Sequence, residues 1–299
     1  MGRKPIVGGN WKCNPAETAK LDELVANFAP CAELLDKCDV YVCPSNLHVG
    51  MIYQKFAPGI MVAPQNCNFK GCGAYTGEMA VDQMKDMGLK CCLIGHSERR
   101  GEFGLPTPKE SNELMATKLA YILEKGLMCV FCIGEPLPIR EKGIDAVLAE
   151  CVSQLKDIVP ILKALEDKSR VVIAYEPVWA IGTGVTASPE QAQETHKVSC
   201  LSMRCAAVMP TVALLAGRAS SYHLCFAFVC PCSAFSPRHP LPRCTLRQSH
   251  IPARLFLHLC SAVASVQPDS PRCERSCLTA ENCLPRGPPQ LSPPPPSHY

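Results

Sequence analysis

Val171-Val172-Ile173-Ala174-Tyr175-Glu176-Pro177-Val178-Trp179-Ala180-Ile181-Gly182-Thr183-Gly184 decides the reading of this chain. An apolar, β-branched run forms a strand that carries one carboxylate, Glu176, to its C-terminal end. Pro177 then forces the chain out of the strand, because proline lacks the N–H that a ladder needs. A mostly apolar segment with two glycines follows. Ser188-Pro189-Glu190 then opens a helix, with proline at the first helical position. A lone carboxylate at a strand end, under a glycine-hinged loop, is the arrangement of a general base beneath a lid.

Working outward, short apolar runs recur with helical segments between them. They are Ile6-Val7, Val40–Cys43, Met61–Ala63, Cys92–Ile94, Met128–Ile133 and Val171–Ile173. Between them, Leu21, Leu24, Val25 and Phe28 mark one helix face. Leu148, Val152, Leu155 and Val159 mark another, and Gly126 supplies the residue that ends the helix at Lys125. Strands apolar throughout, alternating with amphipathic helices, imply a parallel sheet covered by helices. Polar residues and glycines cluster after the strands: Gly8–Lys12, Gln65-Asn66, Gly95–Glu98, Gly134-Glu135 and Glu176. In a parallel α/β barrel that end is the catalytic rim. Six strands precede residue 197, whereas a closed barrel of this kind needs eight and about 250 residues.

The net charge of +3 averages two unlike parts. Residues 1–197 hold 21 Lys+Arg and 24 Asp+Glu, which gives −3; residues 198–299 hold 9 and 3, which gives +6. The second part has no lysine, carries 15 of the 28 prolines and 10 of the 21 cysteines, and runs to Pro293–Pro296 near its end. The expected organisation is therefore a globular α/β domain over 1–197 and a Pro/Arg/Ser/Cys-biased, disordered tail over 198–299. The chain enters a strand soon after Met1 and has no apolar run long enough for a bilayer, so a cytoplasmic protein without signal peptide or membrane span is expected. Cys91-Cys92, Cys129-x-x-Cys132 and Cys230-Pro231-Cys232 invite a metal reading. The first two sit in strand runs without a histidine at zinc-site spacing, which favours buried thiols.

Three segments then carry a resemblance. Gly8-Gly9-Asn10-Trp11-Lys12, Gly95-His96-Ser97-Glu98-Arg99-Arg100 and Ala174–Gly184 are similar to the signature segments of triosephosphate isomerases. Gly73-Ala74-Tyr75-Thr76-Gly77-Glu78 resembles the dimer-interface loop of that family. The likeness covers about residues 4–197 and implies a (β/α)8 TIM barrel, here apparently truncated after the sixth βα unit. It implies interconversion of dihydroxyacetone phosphate and glyceraldehyde 3-phosphate by proton transfer through an enediolate, with no metal and no cofactor. A homodimer joined around Thr76 is also implied, with neither nucleic acid nor membrane as partner.

On that resemblance Glu176 is the base, its pKa raised toward the working pH when a closing lid strips its water. His96 is the neutral electrophile at a helix start, with Ser97 beside it. Lys12 and Asn10 bind substrate, and Gly182 in the lid tip grips the phosphate with backbone N–H groups. Glu98 reads equally as a partner of Lys12 or His96 and as an ordinary first-turn acid. Val185 stands where the family usually has lysine, and Gly104–Pro108 reads as a surface insertion. The Gly-Thr-Gly is not a nucleotide loop, since no Gly-Lys-Ser/Thr follows.

After Lys197 the resemblance ends. The tail has no Gly-Gly pair, which the family uses at its phosphate-binding helix. Lys197-Val198-Ser199 is what AAG-GTG-AGC encodes, the pattern of an exon end followed by an intron start. The tail is accordingly expected to be intron read-through, and the alternative function is a catalytically inactive chain that at most binds intact subunits. A genuine tail would instead be a basic interaction arm.

Overall fold

A computed structural model describes residues 4–101, 109–181, 191 and 195, and the backbone of the strands 211–217 and 225–229. The chain divides after Val266 into two units, and all described residues belong to the first. The strands are β1 (Ile6–Asn10), β2 (Asp39–Cys43), β3 (Ile60–Val62), β4 (Cys91–Ile94), β5 (Met128–Ile133), β6 (Val171–Tyr175), β7 (Thr211–Gly217) and β8 (Cys225–Val229). The helices are α1 (Leu21–Ala26), α2 (Asn46–Ile52), α3 (Val81–Asp86), α4 (Asn112–Glu124), α5 (Leu137–Arg140), α6 (Ile144–Leu155) and α7 (Val159–Ala164). All six expected strands are present. They pair in parallel as β1-β2-β3 and β4-β5-β6. Between these groups the Leu93 N–H donates to the Pro64 carbonyl at 2.9 Å.

Strand parity explains the core. One face of each strand carries Val7, Val40, Val42, Cys92, Ile94, Cys129, Phe131, Val171 and Ile173 into a layer shared with the helices. The other face carries Ile6, Tyr41, Cys43, Cys91, Leu93, Val130, Cys132, Val172 and Ala174 into a second cluster made of strand residues and Ala63. A flat sheet cannot bring one face of five strands together without a covering layer; these strands curl so that the face packs on itself. Gly8, paired with Tyr41, makes that curl possible. A Cβ on Gly8 would lie 2.1 Å from two atoms of the Tyr41 ring. Cys91, Cys92, Cys129 and Cys132 are buried as expected, and burial pushes the Cys91 thiol up to about 12. Cys230 and Cys232 lie outside the described residues.

The helices follow the expected periods with one correction. In α4, Met115, Leu119 and Ile122 are buried, and Gly126 ends the helix with φ +88°, the conformation that suits glycine at this position. In α6 the buried stripe is Val147, Cys151, Gln154 and Leu155, whereas Val152, expected inside, is exposed. The stripe is rotated because a polar residue, Gln154, occupies an inward position that apolar periodicity cannot register.

The second correction concerns the sheet after Lys197, where sequence bias predicts no strands. β7 adds to β6 in parallel and β8 adds to β7 in antiparallel sense. The physical reason is local. Between Pro210 and Pro231 the chain has no proline, and it holds two β-forming runs, Val212–Leu215 and Cys225–Val229, that can occupy the open edge of β6. Composition averaged over the whole tail hides that window. The β8 backbone lies beside β1, with Cα atoms within 8 Å, but its direction is opposite to that of an all-parallel barrel.

Candidate active site

The inner strand face that packs Ile6, Ala174 and their neighbours continues past the apolar layer to Asn10 on β1 and to Glu176 just beyond β6. Period-2 geometry therefore brings two distant polar residues to the same end of the sheet. Glu176 is 1% exposed and His96 3% exposed, so both are shielded from water. The Glu176 N–H donates to the Ile133 carbonyl at 2.7 Å, which pins its backbone to the end of β5. Its Oε1 lies 2.9 Å from His96 Nε2, and its Oε2 accepts the Ser97 N–H at 3.1 Å.

His96 caps a single 3-10 turn, Ser97–Arg99, rather than the longer helix that the sequence suggests. Its Nδ1 accepts the Glu98 N–H at 3.3 Å. A nitrogen that accepts carries no proton, so the ring's hydrogen sits on Nε2, facing Glu176. The turn is braced from behind. Arg100 donates to the Gly95 carbonyl at 2.7 Å and the Cys132 carbonyl at 3.1 Å. The buried Glu110 accepts from Arg99 at 2.6 Å and from Lys118 at 2.9 Å.

Lys12 is 9% exposed and has φ +53°, an uncommon backbone state for a lysine. Three contacts hold it there. Its N–H donates to Asn10 Oδ1 at 2.8 Å, its carbonyl accepts from Gln65 Nε2 at 2.7 Å, and its ammonium meets Glu98 Oε1 at 2.7 Å. Glu98 thus sits on Lys12, with its other oxygen 3.5 Å from His96 Nδ1. The structure brings Asn10, Lys12, His96, Ser97, Glu98 and Glu176 into one cluster. Thr76 is exposed on a separate loop, and Gly182 and Val185 lie outside the described residues. Gln65 belongs to the cluster too; its place directly after β3 was the available signal.

Burial alone drives Glu176 upward, but positive charge on the His96 ring when it is protonated, the ring N–H, the Ser97 N–H and the Lys12 ammonium outweigh it. The carboxyl is held below the ordinary glutamate range. The expected rise toward neutrality belongs to closure of a lid whose tip, Gly182, lies outside the described residues; in the arrangement described the net direction is downward. Cationic and N–H donors stabilise the carboxylate more than the buried setting penalises it.

The sequence model of the triosephosphate isomerase family matches residues 5–221. The chain belongs to this family. The match runs beyond Lys197 and includes β7. Among similar proteins, the cytosolic triosephosphate isomerase of Oryza sativa subsp. japonica is 42% identical over 200 residues, 66% of this chain and 74% of that one. The triosephosphate isomerase of Coprinopsis cinerea is 43% identical over 213 residues, 71% of this chain and 81% of that one. Triosephosphate isomerases are enzymes, and the names of these relatives support an isomerase function. Among the described residues, no helix is long and apolar enough to cross a membrane.

Beside this cluster Glu135 is fully buried, and it accepts the Tyr175 hydroxyl at 2.9 Å and the Trp179 indole N–H at 3.0 Å. Burial pushes its pKa above the ordinary 4.5 despite these bonds and the nearby Arg140. A raised folded-state pKa means that the folded chain binds more protons than the unfolded chain between the two values. Stability is then greatest below the unfolded value and falls as pH rises through the folded one. Glu135→Gln removes that charge, so its urea midpoint is expected to vary less between pH 4.5 and 7 than that of the unsubstituted chain. Parallel pH profiles would show that Glu135 does not titrate in this window.

Proposed function

We propose that the chain is an intramolecular aldose–ketose isomerase that interconverts dihydroxyacetone phosphate and glyceraldehyde 3-phosphate. The observation that carries this reading is the 2.9 Å approach of a buried carboxylate, Glu176, to the protonated edge of His96, with the Lys12 ammonium in the same cluster. Substrate would enter between the two side chains. Glu176 takes the proton from the carbon next to the carbonyl, and His96 Nε2–H hydrogen-bonds the carbonyl oxygen as it gains charge. Lys12, supported by Asn10 and Glu98, neutralises the enediolate and the phosphate. Glu176 then returns the proton to the neighbouring carbon, while the former carbonyl oxygen takes the His96 Nε2 proton and the former hydroxyl gives its proton back to that nitrogen, so one carbonyl replaces the other and the reaction consumes neither oxidant nor reductant. Gly182 would contribute its N–H to the phosphate, Ser97 would orient the base, and no cofactor or metal takes part.

The curled inner face supports a (β/α)8-type barrel built mainly from residues 1–197, with 198–299 as an appended tail that lends β7 and β8. The exposed apolar side chains Leu47, Met51 and Phe69, the last edge-on to Tyr75, support a homodimer through the Thr76 loop. A cytoplasmic site of action agrees with the cytosolic relative in rice. A second reading, a catalytically inactive chain that binds intact subunits, is favoured by two observations. β8 runs antiparallel, and the tail has no Gly-Gly pair with which to build the phosphate cradle. Turnover of glyceraldehyde 3-phosphate by the purified 299-residue chain, coupled to reduction of the dihydroxyacetone phosphate formed, separates the two. Measurable saturable turnover is expected; its absence, together with co-purification with a full-length family member, establishes the second reading.

A further inference from the structure

Glu176 has a support that its own strand does not supply. Gly134, the residue after β5, lies so close to the Glu176 peptide that a Cβ built on it would sit 1.8 Å from the Glu176 carbonyl oxygen. That approach makes the position of Gly134 a determinant of where the base stands. Gly134 is in turn gripped at both backbone groups by one side chain. Its N–H donates to Gln154 Oε1 at 2.9 Å, and its carbonyl accepts from Gln154 Nε2 at 2.7 Å. The Glu150 carboxylate, one turn earlier on α6, accepts from the same Nε2 at 2.8 Å. The three bonds fix which end of the amide is which, since only the NH2 can donate to a carbonyl and a carboxylate.

Gln154 is 4% exposed on a face otherwise lined by Val147, Cys151 and Leu155. A leucine there would suit the apolar layer, and burying an amide is costly unless it is fully bonded. Packing therefore does not explain this residue; clamping Gly134 does.

We infer that Gln154 is a positioning residue for the base, transmitting the placement of α6 through Gly134 to the Glu176 backbone. The inference rests on the isomerase reading for its kinetic consequence only. Gln154→Leu releases both Gly134 groups, and Gln154→Glu keeps the shape while setting an oxygen against the Gly134 carbonyl and the Glu150 carboxylate. A misplacement of about 1 Å can cost about 100-fold in rate, so a smaller shift of the base should cost less, here about tenfold. Both variants are expected to lower kcat about tenfold with KM within about twofold, because Gln154 touches no substrate. They are also expected to shift the 15N resonance of His96 Nε2, which reports the Glu176 carboxylate whether or not the chain turns over. Unchanged kcat together with an unmoved His96 resonance overturns the proposal. A chain without turnover defeats the isomerase reading and leaves the resonance to decide the positioning role. Should both variants fail to fold, Glu150→Ala, at the partly exposed end of the relay, tests the same path. Faster exchange of the Gly134 amide with a moved His96 resonance is expected, and an unaltered spectrum overturns the proposal.

Discussion

Glu176→Gln is expected to lower kcat about 10²- to 10⁴-fold, the range over which a positioned acid or base contributes to proton transfer. The amide matches the carboxylate in shape, so it still fills the site and can still accept the Ser97 N–H. It cannot accept a proton from carbon. KM should change only a few-fold, because phosphate and carbonyl recognition belong to other groups. Retained kcat within tenfold of the unsubstituted chain would sink the assignment of the base. The held-down pKa of Glu176 adds a pH consequence. A carboxylate held ionised by these donors is ready as a base throughout the neutral region, so the acid limb of kcat/KM should lie on the acid side of neutrality.

Gly134→Ala is expected to be the most damaging single-methyl change near the site. The added carbon would lie 1.8 Å from the Glu176 carbonyl oxygen and 2.9 Å from its carbonyl carbon. Neither atom is the far end of a flexible side chain; both are backbone atoms of Glu176, whose N–H is bound to the Ile133 carbonyl at 2.7 Å. Relief must come from moving β5 against the base. Overpacking of this kind costs about 1–3 kcal/mol, and a displacement of about 1 Å costs about 100-fold in rate. Urea midpoint and kcat should therefore fall together, in contrast to Gln154→Leu, where rate falls with KM nearly constant. Wild-type values for both quantities would show that the two strand ends are free to separate.

Much of this was legible in the sequence. The six strands were marked by apolar runs, and Glu176 and His96 by their places just past two of those runs. The curl of the sheet came only from the family resemblance and not from the periodicity, because period-2 burial on both faces looks the same whether the second face meets a helix or other strands. The face of α6 was misread for a chemical reason. Periodicity counts apolar side chains, and Gln154 is an inward residue chosen for its amide. The strands at 211–217 and 225–229 were missed because a proline-rich average concealed a proline-free window of 20 residues between Pro210 and Pro231. The downward direction of the Glu176 pKa in this arrangement was not legible, because sequence places His96, Ser97 and Lys12 near the base but does not reveal how closely they surround it.

The shared parity of the strands also limits how this lineage can vary in length. Connections between strands and helices can gain or lose residues, since they leave each strand's alternation intact. A single residue gained or lost within Val171–Tyr175 does not merely lengthen a strand. It turns the carboxylate from the inner face to the helical layer, and every side chain before or after the change goes with it. Insertions and deletions are thus confined to the loops by geometry, while the strands can change only by substitution.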